Sequence, residues 1–218
     1  MKDIHAVLFD MDGLLLDDER INIECCIELG REWGFELDPT AVARAVMGST
    51  RATVVSCYAR VLPEGIDAQL FFDSKRDRLH ERFRREGIKP MKGAVELLKW
   101  LGEHGVPCVL ATSTSIDLAT QRLRTAGIYD YLQYYITGDM VTHSKPDPEI
   151  YLKAAAAAGV PIEKCLVLED SYHGILSGRA SGAIVGMVPD MLPYDESCAD
   201  SVDVVFDSLL DVIDWISD

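Results

Sequence analysis

The chain has 218 residues, 48% of them hydrophobic, and a formal net charge of −15. This length suits one sizeable core with a modest insert. The acidic balance argues against nucleic acid and anionic membranes as partners, because both bind basic surfaces, and the apolar runs fall far below the ~20 residues of a membrane-spanning helix. Its six cysteines lack metal-ligand spacing and no N-terminal segment resembles a secretion signal, so we expect a cytoplasmic protein.

The first predicted element is a short apolar strand, residues 4–9, which ends at Asp10. Gly13 then allows a sharp turn. Helical patterns of mixed polarity follow, and no strand-like run occurs between residues 17 and 88. The predicted helices of this stretch cover residues 18–33, 39–47, 50–61 and 67–86. The sequence therefore predicts a helical insert after the first strand.

Strands and helices alternate over the rest of the chain. The predicted strands cover residues 107–112, 133–137, 165–169, 184–188 and 202–206. The predicted helices cover residues 94–104, 116–126, 148–158, 173–181 and 208–216. Such alternation predicts an α/β fold with a mostly parallel sheet and helices on both faces.

Polar side chains stand where several of these strands end, and a lysine stands between a turn and a helix start. Ligands of open α/β sheets bind at the carboxyl ends of the strands. Taken singly, the residues also fit solvated acidic turns, an ordinary hydroxyl and a solvated lysine. Clustered carboxylates, however, are costly to bury unless they bind a cation or take part in chemistry. The candidates are Asp10, Asp12, Thr112, Ser113, Lys145, Glu169 and Asp170.

Together these groups suit phosphoryl transfer to a carboxylate. Asp10 would attack phosphorus and form an aspartyl-phosphate. Asp12 would protonate the leaving oxygen and then activate the water that breaks the aspartyl-phosphate. Thr112, with Ser113 as a further substrate-binding group, would donate hydrogen bonds to the phosphate, helped by N–H groups at the next helix start. Lys145 would neutralise charge beside the nucleophile with an interaction of roughly 4 kcal/mol at ~4 Å.

A hard cation would hold the phosphate dianion against these acids. Oxygen ligands with retained waters suit Mg²⁺. Asp10 and Asp170 would supply carboxylate oxygens, and Asp12 its backbone carbonyl. Glu169 would be a further ligand, either directly or through water.

Four segments resemble the motifs of the haloacid dehalogenase-like hydrolase superfamily: FDMDG, LATS, SKPDP and LEDS. The resemblance extends from residue 4 to about residue 190. It implies a Rossmann-like catalytic core, residues 1–16 and 89–218, with an inserted four-helix cap, residues 17–88. It also implies Mg²⁺, an aspartyl-phosphate and small phosphorylated substrates. Dehalogenases of the superfamily lack the second aspartate of the first motif, so Asp12 disfavours dehalogenation.

Two branches of the superfamily are similar to parts of this chain. FDMDGLLLDDER, KPDPEIYL, EKCLVLED and MVPD resemble pseudouridine 5′-phosphatase-like enzymes, which favours a sugar or nucleoside monophosphate as substrate. VMGSTRAT resembles the cap segment of β-phosphoglucomutases, in which an arginine meets the distal phosphate, so Arg51 is a substrate-binding candidate. Lys75 falls near the family's cap lysine, although a solvated charge is the simpler interpretation. The mutases carry a histidine where this chain has Asn22.

Three functions remain open. We favour a Mg²⁺-dependent phosphatase that acts on a small phosphate monoester as a monomer. A β-phosphoglucomutase-like phosphomutase would use the same aspartyl-phosphate but pass the phosphoryl group to another hydroxyl. A receiver-like phospho-aspartate switch is disfavoured, because receivers are shorter and lack an inserted cap, and because Asp12 beside the nucleophile favours rapid turnover.

Overall fold

The computed structural model describes residues 2–46, 51–191 and 196–218, without the side chains of residues 44–46, 51–53 and 196–198. The chain divides into two units, Met1–Asp17 with Lys89–Asp218, and Asp18–Ile88. In the described residues, no helix combines the length and hydrophobicity that a membrane crossing would need.

The larger unit contains a sheet of six strands in its described part. The strands are β1 (Ala6–Phe9), β2 (Cys108–Ala111), β3 (Tyr134–Ile136), β4 (Cys165–Glu169), β5 (Ile184–Met187) and β6 (Val204–Val205). Their order is β3-β2-β1-β4-β5-β6, and all neighbours are parallel. This is the strand order of a doubly wound α/β fold, in which ligands bind where the order reverses, between β1 and β4 here. The predicted fold class is confirmed.

The smaller unit is helical. Its helices are α1 (Glu19–Glu32), α2 (Pro39–Val46), α3 (Arg51–Val61) and α4 (Ala68–Glu86). Phe71 of α4 is fully buried and meets the rings of Trp33 and Tyr58 edge-to-face, with centroid distances of 5.5 and 5.3 Å. The Asp67 carboxylate caps α4 by accepting hydrogen bonds from two backbone N–H groups of its first turn. An aromatic cluster therefore forms the core of this unit.

Five more helices are described in the larger unit. They are α5 (Ala94–Glu103), α6 (Ile116–Thr125), α7 (Glu149–Ala158), α8 (Tyr172–Ser181) and α9 (Leu209–Ser217). Helix α7 packs on β1 and β2 through Ile150, Tyr151 and Ala154, which are buried with their strand neighbours. This packing carries the first turn of α7, and the loop before it, to the carboxyl edge of the sheet.

Five of the six predicted strands prove shorter in the structure, by one to three residues. The strand expected over residues 202–206 is reduced to Val204–Val205, and the one expected over residues 133–137 to Tyr134–Ile136. Both lie at the edges of the sheet, where a strand has one partner instead of two. Short edge strands limit unwanted pairing with other chains. The strand expected over residues 4–9 begins at Ala6, because the Ile4 N–H donates to the Lys2 carbonyl in a local turn.

Candidate active site

The register of the central strands brings the ends of the motifs together. Strand β1 pairs with β2 on one side and β4 on the other, with Phe9 level with Leu110 and Leu168. Asp10, the first residue after β1, therefore lies beside the residues that follow β2 and β4. The Asp10 N–H still donates to the Leu168 carbonyl, at 3.1 Å.

A tight turn follows β1. The Met11 carbonyl accepts hydrogen bonds from the backbone N–H groups of Leu15 and Leu16, at 2.9 and 3.0 Å. Gly13 has a φ of 79°, in the left-handed region that glycine occupies without steric cost. The turn keeps Asp12 at the edge of the sheet, two residues after Asp10.

Lys145 joins two acids inside the protein. Its Nζ donates to Asp10 Oδ1 and to Glu169 Oε1, both at 2.6 Å, and to the Ala111 carbonyl at 3.0 Å. The side chains of Lys145 and Asp10 are 5% and 12% exposed, and that of Glu169 is fully buried. Three charges in this small volume must compensate one another, because each has lost most of its hydration.

The burial of this cluster changes its protonation. Burial raises the pKa of Asp10 from 3.8 to about 7; the Lys145 ammonium opposes this rise, while Glu169 and Asp12 add to it. Burial alone would lower the pKa of Lys145, but Asp10 and Glu169 raise it well above its usual value. The lysine therefore stays cationic, and the surroundings of Asp10 favour either a proton or a further cation.

The Glu169 carboxylate accepts hydrogen bonds from protein groups on both oxygens. Oε1 accepts from Lys145 and from the Tyr151 hydroxyl at 2.5 Å, and Oε2 accepts from the Ser171 hydroxyl at 2.9 Å and the Ser171 N–H at 3.3 Å. A Cβ at Gly174 would lie 1.8 Å from the carboxyl carbon, so this position tolerates no side chain. Glu169 is therefore fixed within the protein by Lys145, by Tyr151 of α7 and by Ser171, which directly precedes α8.

Asp12 is held from the other side of the site. The Thr114 hydroxyl donates to Asp12 Oδ2 at 2.7 Å, and the Arg122 guanidinium donates to Oδ1 at 2.6 Å. Thr112 is fully buried, and its Oγ1 accepts a hydrogen bond from the Thr114 N–H at 3.1 Å. A hydroxyl carries one donor hydrogen and two acceptor sites, so this contact leaves the Thr112 hydrogen available to a ligand.

The site offers ligands for a hard cation. Carboxylate oxygens of Asp10, Glu169 and Asp170 lie within 4.8 Å of one another. Asp10 and Asp170 are buried, and every donor is an oxygen, as Mg²⁺ and similar cations require. A cation here would also stabilise the anionic form of Asp10 against the effect of burial. The residues therefore fit the cofactor that the sequence predicts.

The roles of two predicted substrate-binding residues, Ser113 and Arg51, stay predictions. Ser113 is exposed, unlike Thr112, and its carbonyl lies against Gly138, where a Cβ would come within 2.1 Å. Arg51 is the first residue of α3, and its side chain lies outside the described residues. The role of Ser113 rests on its position beside Thr112, and that of Arg51 on the sequence.

The simpler interpretation of Lys75 as a solvated charge is wrong. Lys75 is only 5% exposed, and its Nζ donates to Asn22 Oδ1 at 2.7 Å. The Asn22 amide in turn donates to Glu19 at 3.2 Å. Lys75 thus belongs to a polar network inside the smaller unit, because α1 and α4 pack together.

Four contacting residues were missed by the sequence reasoning. Tyr151 lies within the KPDPEIY segment, and its spacing of six residues after Lys145 could have shown that both belong to one turn and helix. Thr114 repeats the hydroxyl of Thr112 two positions on. Ser171 is the last residue of the LEDS motif and lies two positions after Glu169, so that motif carried a signal for it. Arg122 carries no local signal, because it reaches Asp12 only through the packing of α6.

Comparison with known proteins agrees with this geometry. The family model described as haloacid dehalogenase-like hydrolase matches residues 7–188. The chain is 31% identical over 182 residues to a phosphorylated carbohydrates phosphatase of Thermotoga maritima, covering 82% of each chain. It is also 31% identical over 204 residues to a Drosophila melanogaster protein named "Probable pseudouridine-5′-phosphatase", covering 87% of this chain and 84% of the relative.

A solved structure shows the same fold. The crystal structure of β-phosphoglucomutase from Clostridium difficile superposes with a TM-score of 0.76 at 19% identity, over 98% of this chain and 96% of that one. The motif geometry, the family match and these relatives together show that the chain belongs to the haloacid dehalogenase-like hydrolase family.

Proposed function

We propose that the protein is a phosphatase that hydrolyses a small phosphate monoester through an aspartyl-phosphate on Asp10. The observation that carries this proposal is the buried Asp10–Lys145 pair at 2.6 Å, with Asp170 and Asp12 beside it at the carboxyl edge of the sheet. The named relatives favour a phosphorylated carbohydrate or a nucleoside monophosphate as the substrate.

In the first step, a carboxylate oxygen of Asp10 attacks phosphorus and the ester P–O bond breaks. The leaving alkoxide takes a proton from Asp12. The Thr112 hydroxyl and backbone N–H groups at the start of α6 bind the phosphate oxygens. Lys145 offsets the negative charge that phosphate and nucleophile bring together, which lets two anions approach in a largely dry site.

In the second step, water attacks the phosphorus of the aspartyl-phosphate. Asp12, now anionic, takes a proton from this water, and the acyl P–O bond breaks. Inorganic phosphate leaves, Asp10 returns as the carboxylate, and Asp12 is ready to act as an acid again. Removing this carboxyl in an Asp12→Asn variant should lower turnover by ~10²–10⁴, the usual effect of losing a general acid–base.

We propose Mg²⁺ as the cofactor, held by carboxylate oxygens of Asp10 and Asp170 and by the Asp12 backbone carbonyl. When bound, Mg²⁺ would neutralise the charge that gathers on the phosphate oxygens. Glu169 is close enough to take part, but its oxygens accept hydrogen bonds from Lys145, Tyr151 and Ser171. We therefore assign Glu169 to positioning Lys145, with any contact to the metal passing through water.

We assign specificity to Ser113 in the larger unit and to Arg51 in the smaller unit. Lys75 is a further candidate, because a buried ammonium beside an amide is suited to a polar substrate group. A phosphomutase is the second candidate function, favoured by the fold shared with β-phosphoglucomutase. Asn22, where the mutases carry a histidine, disfavours it.

The proposal is tested by phosphate release from a panel of monoesters with and without Mg²⁺. The panel contains glucose 6-phosphate, glycerol 3-phosphate, uridine 5′-monophosphate and pseudouridine 5′-phosphate, with products identified by NMR. Metal-dependent release that is lost in Asp10→Asn is expected. An isomerised sugar phosphate without release would instead establish the mutase, and release by Asp10→Asn at the native rate would contradict the assigned nucleophile.

We also propose that the enzyme is cytoplasmic and monomeric. Reduced cysteines suit that compartment, and the five cysteines described in the structure are free thiols. Light scattering after size-exclusion chromatography tests the monomer directly. A mass of twice the 24.1 kDa of one chain would contradict it.

A further inference from the structure

The two oxygens of the Asp12 carboxylate are bound by side chains from one segment. Thr114 binds Oδ2 at 2.7 Å and Arg122 binds Oδ1 at 2.6 Å. The Arg122 and Asp12 side chains are 13% and 24% exposed, so water competes weakly for this pair. The carboxylate is therefore restrained in both its position and its rotation.

The segment that provides these donors is itself tied down by backbone hydrogen bonds. Thr114 lies in the turn after β2, where its N–H is bound to Thr112 Oγ1, and Arg122 lies in the second turn of α6. An arginine side chain carries about 2 kcal/mol of rotamer entropy, which a solvated charge would not give up. Its ordering against Asp12 thus indicates a contact that the fold maintains.

A general acid–base must hold its oxygen within hydrogen-bond reach of two reacting atoms in turn. Asp12 would deliver a proton to the leaving oxygen and later take one from water. A carboxylate that rotates freely would spend part of its time out of reach of both, and a misplacement of ~1 Å can cost up to about 100-fold in rate. Arg122 and Thr114 together prevent such rotation.

We propose that Arg122 is a positioning residue of this enzyme, which acts by holding the Asp12 carboxylate in its working orientation. This inference rests on the proposed function, because it assigns Arg122 a role only through Asp12. Arg122 itself touches neither the phosphate nor the nucleophile in this assignment. Its loss should therefore lower kcat and leave KM nearly unchanged.

The chain offers a matched control on the same helix. Arg124 is exposed, and its guanidinium lies 4.6 Å from the centre of the Tyr129 ring, away from Asp12. Arg122→Met and Arg124→Met each remove one positive charge from α6 and keep a helix-forming side chain. We expect Arg122→Met to lower kcat about tenfold with p-nitrophenyl phosphate and saturating Mg²⁺, whereas Arg124→Met should keep the native kcat.

A double-mutant cycle separates positioning from a general structural effect. In an Asp12→Asn background, measured at high enzyme concentration, Arg122→Met should change kcat less than twofold, because the group it positions has been removed. Thr114→Val should lower kcat in the native background, and it should likewise have little effect in the Asp12→Asn background. Thermal unfolding of every variant checks that the fold is intact.

The outcomes are distinct. A native enzyme without phosphatase activity would overturn the proposed function, and this inference with it. If the native enzyme is active but Arg122→Met and Arg124→Met have the same kcat, the role of Arg122 alone would be overturned. The same conclusion would follow if Arg122→Met lowered kcat equally in the native and Asp12→Asn backgrounds.

Discussion

In the larger unit, Lys145, Asp10 and Glu169 form ion pairs of 2.6 Å that are almost closed to solvent. In the smaller unit, the ion pairs between α1 and α4 are more exposed. There Arg82 meets Glu24 at 2.7 Å and Glu28 at 3.2 Å, and the two glutamates are 35% and 46% exposed. The distances are similar, but the energetic consequences differ.

Burial explains this difference. A buried charge that loses its partner retains the full desolvation penalty, whereas an exposed charge recovers water. Burial therefore raises the free energy of the charged groups, and a bound phosphate and cation can lower it. This property suits a catalytic site. The exposed pairs add little to stability, and their charges need no ligand because water solvates them.

The strongest test of this contrast replaces the nucleophile. Asp10→Asn should abolish hydrolysis, because an amide does not form the aspartyl-phosphate. It should also stabilise the metal-free protein at alkaline pH. Burial raises the pKa of Asp10 from 3.8 to about 7, so protonated Asp10 contributes to the free energy of unfolding. This contribution is fully present at a pH below the pKa of the unfolded protein, and it is lost as the pH rises through about 7.

Asparagine does not ionise, so the variant avoids this loss. In urea unfolding with EDTA, the free energy of unfolding of Asp10→Asn should exceed that of the native protein by a few kcal/mol at about pH 8. The difference should shrink towards about pH 5. Equal stability of the two proteins at both pH values would show that Asp10 is not destabilised by burial.

The second test removes the buried cation. Lys145→Met leaves Asp10 and Glu169 without their shared partner, which should cost about 3–5 kcal/mol of stability near neutral pH and abolish turnover. Lys153→Met is the control, because Lys153 is 45% exposed and pairs with Glu149 on the surface. Similar unfolding midpoints for the two variants would contradict the contrast between buried and exposed pairs.

A smaller change probes the support of Glu169. Tyr151→Phe keeps the buried ring but removes the hydroxyl that donates to Glu169 at 2.5 Å. Loss of a hydrogen bond to a charged group should cost about 1.5–3 kcal/mol, and kcat should fall a few-fold as Lys145 loses its fixed position. Tyr135→Phe is the control, because that hydroxyl binds only the Tyr129 and Leu132 carbonyls among its described contacts. An unchanged kcat in Tyr151→Phe would exclude this positioning.

The smallest effect is expected on the surface of the smaller unit. Arg82→Met breaks its pairs with Glu24, Glu28 and Glu86, yet should cost about 1 kcal/mol or less. The cost should fall further in high salt, which screens exposed charges. Urea unfolding in low and high salt measures both. A loss as large as that of Lys145→Met would contradict the account of the exposed pairs.

Much of the fold follows from local sequence. The apolar runs of β1 and β4 are buried along their whole length, so their hydrophobicity alone identifies them as central strands. The alternation of strands and helices then predicts parallel pairing. The edge strand β6 was expected to be longer, because the apolar Val202 and Phe206 lie beside it in the sequence whether or not a partner strand is present.

The candidate site was predictable only in part. Asp10 and Asp170 follow central strands, so the parallel register brings them together without knowledge of side-chain packing. The groups that hold the Asp12 carboxylate in place were not visible in the sequence. Arg122 reaches Asp12 across 110 residues of sequence, and Thr114 across 102. Such contacts depend on how α6 lies against the sheet, which no local pattern encodes.

The most direct measurement is a burst experiment on Asp12→Asn with p-nitrophenyl phosphate and Mg²⁺. p-Nitrophenolate leaves without a proton, so this variant should still form the aspartyl-phosphate but hydrolyse it slowly. We expect a burst of one nitrophenolate per enzyme, and acid-quenched protein that carries one phosphoryl group on Asp10. Turnover with no burst, together with a phosphoryl group on another residue or on none, would contradict the proposed mechanism.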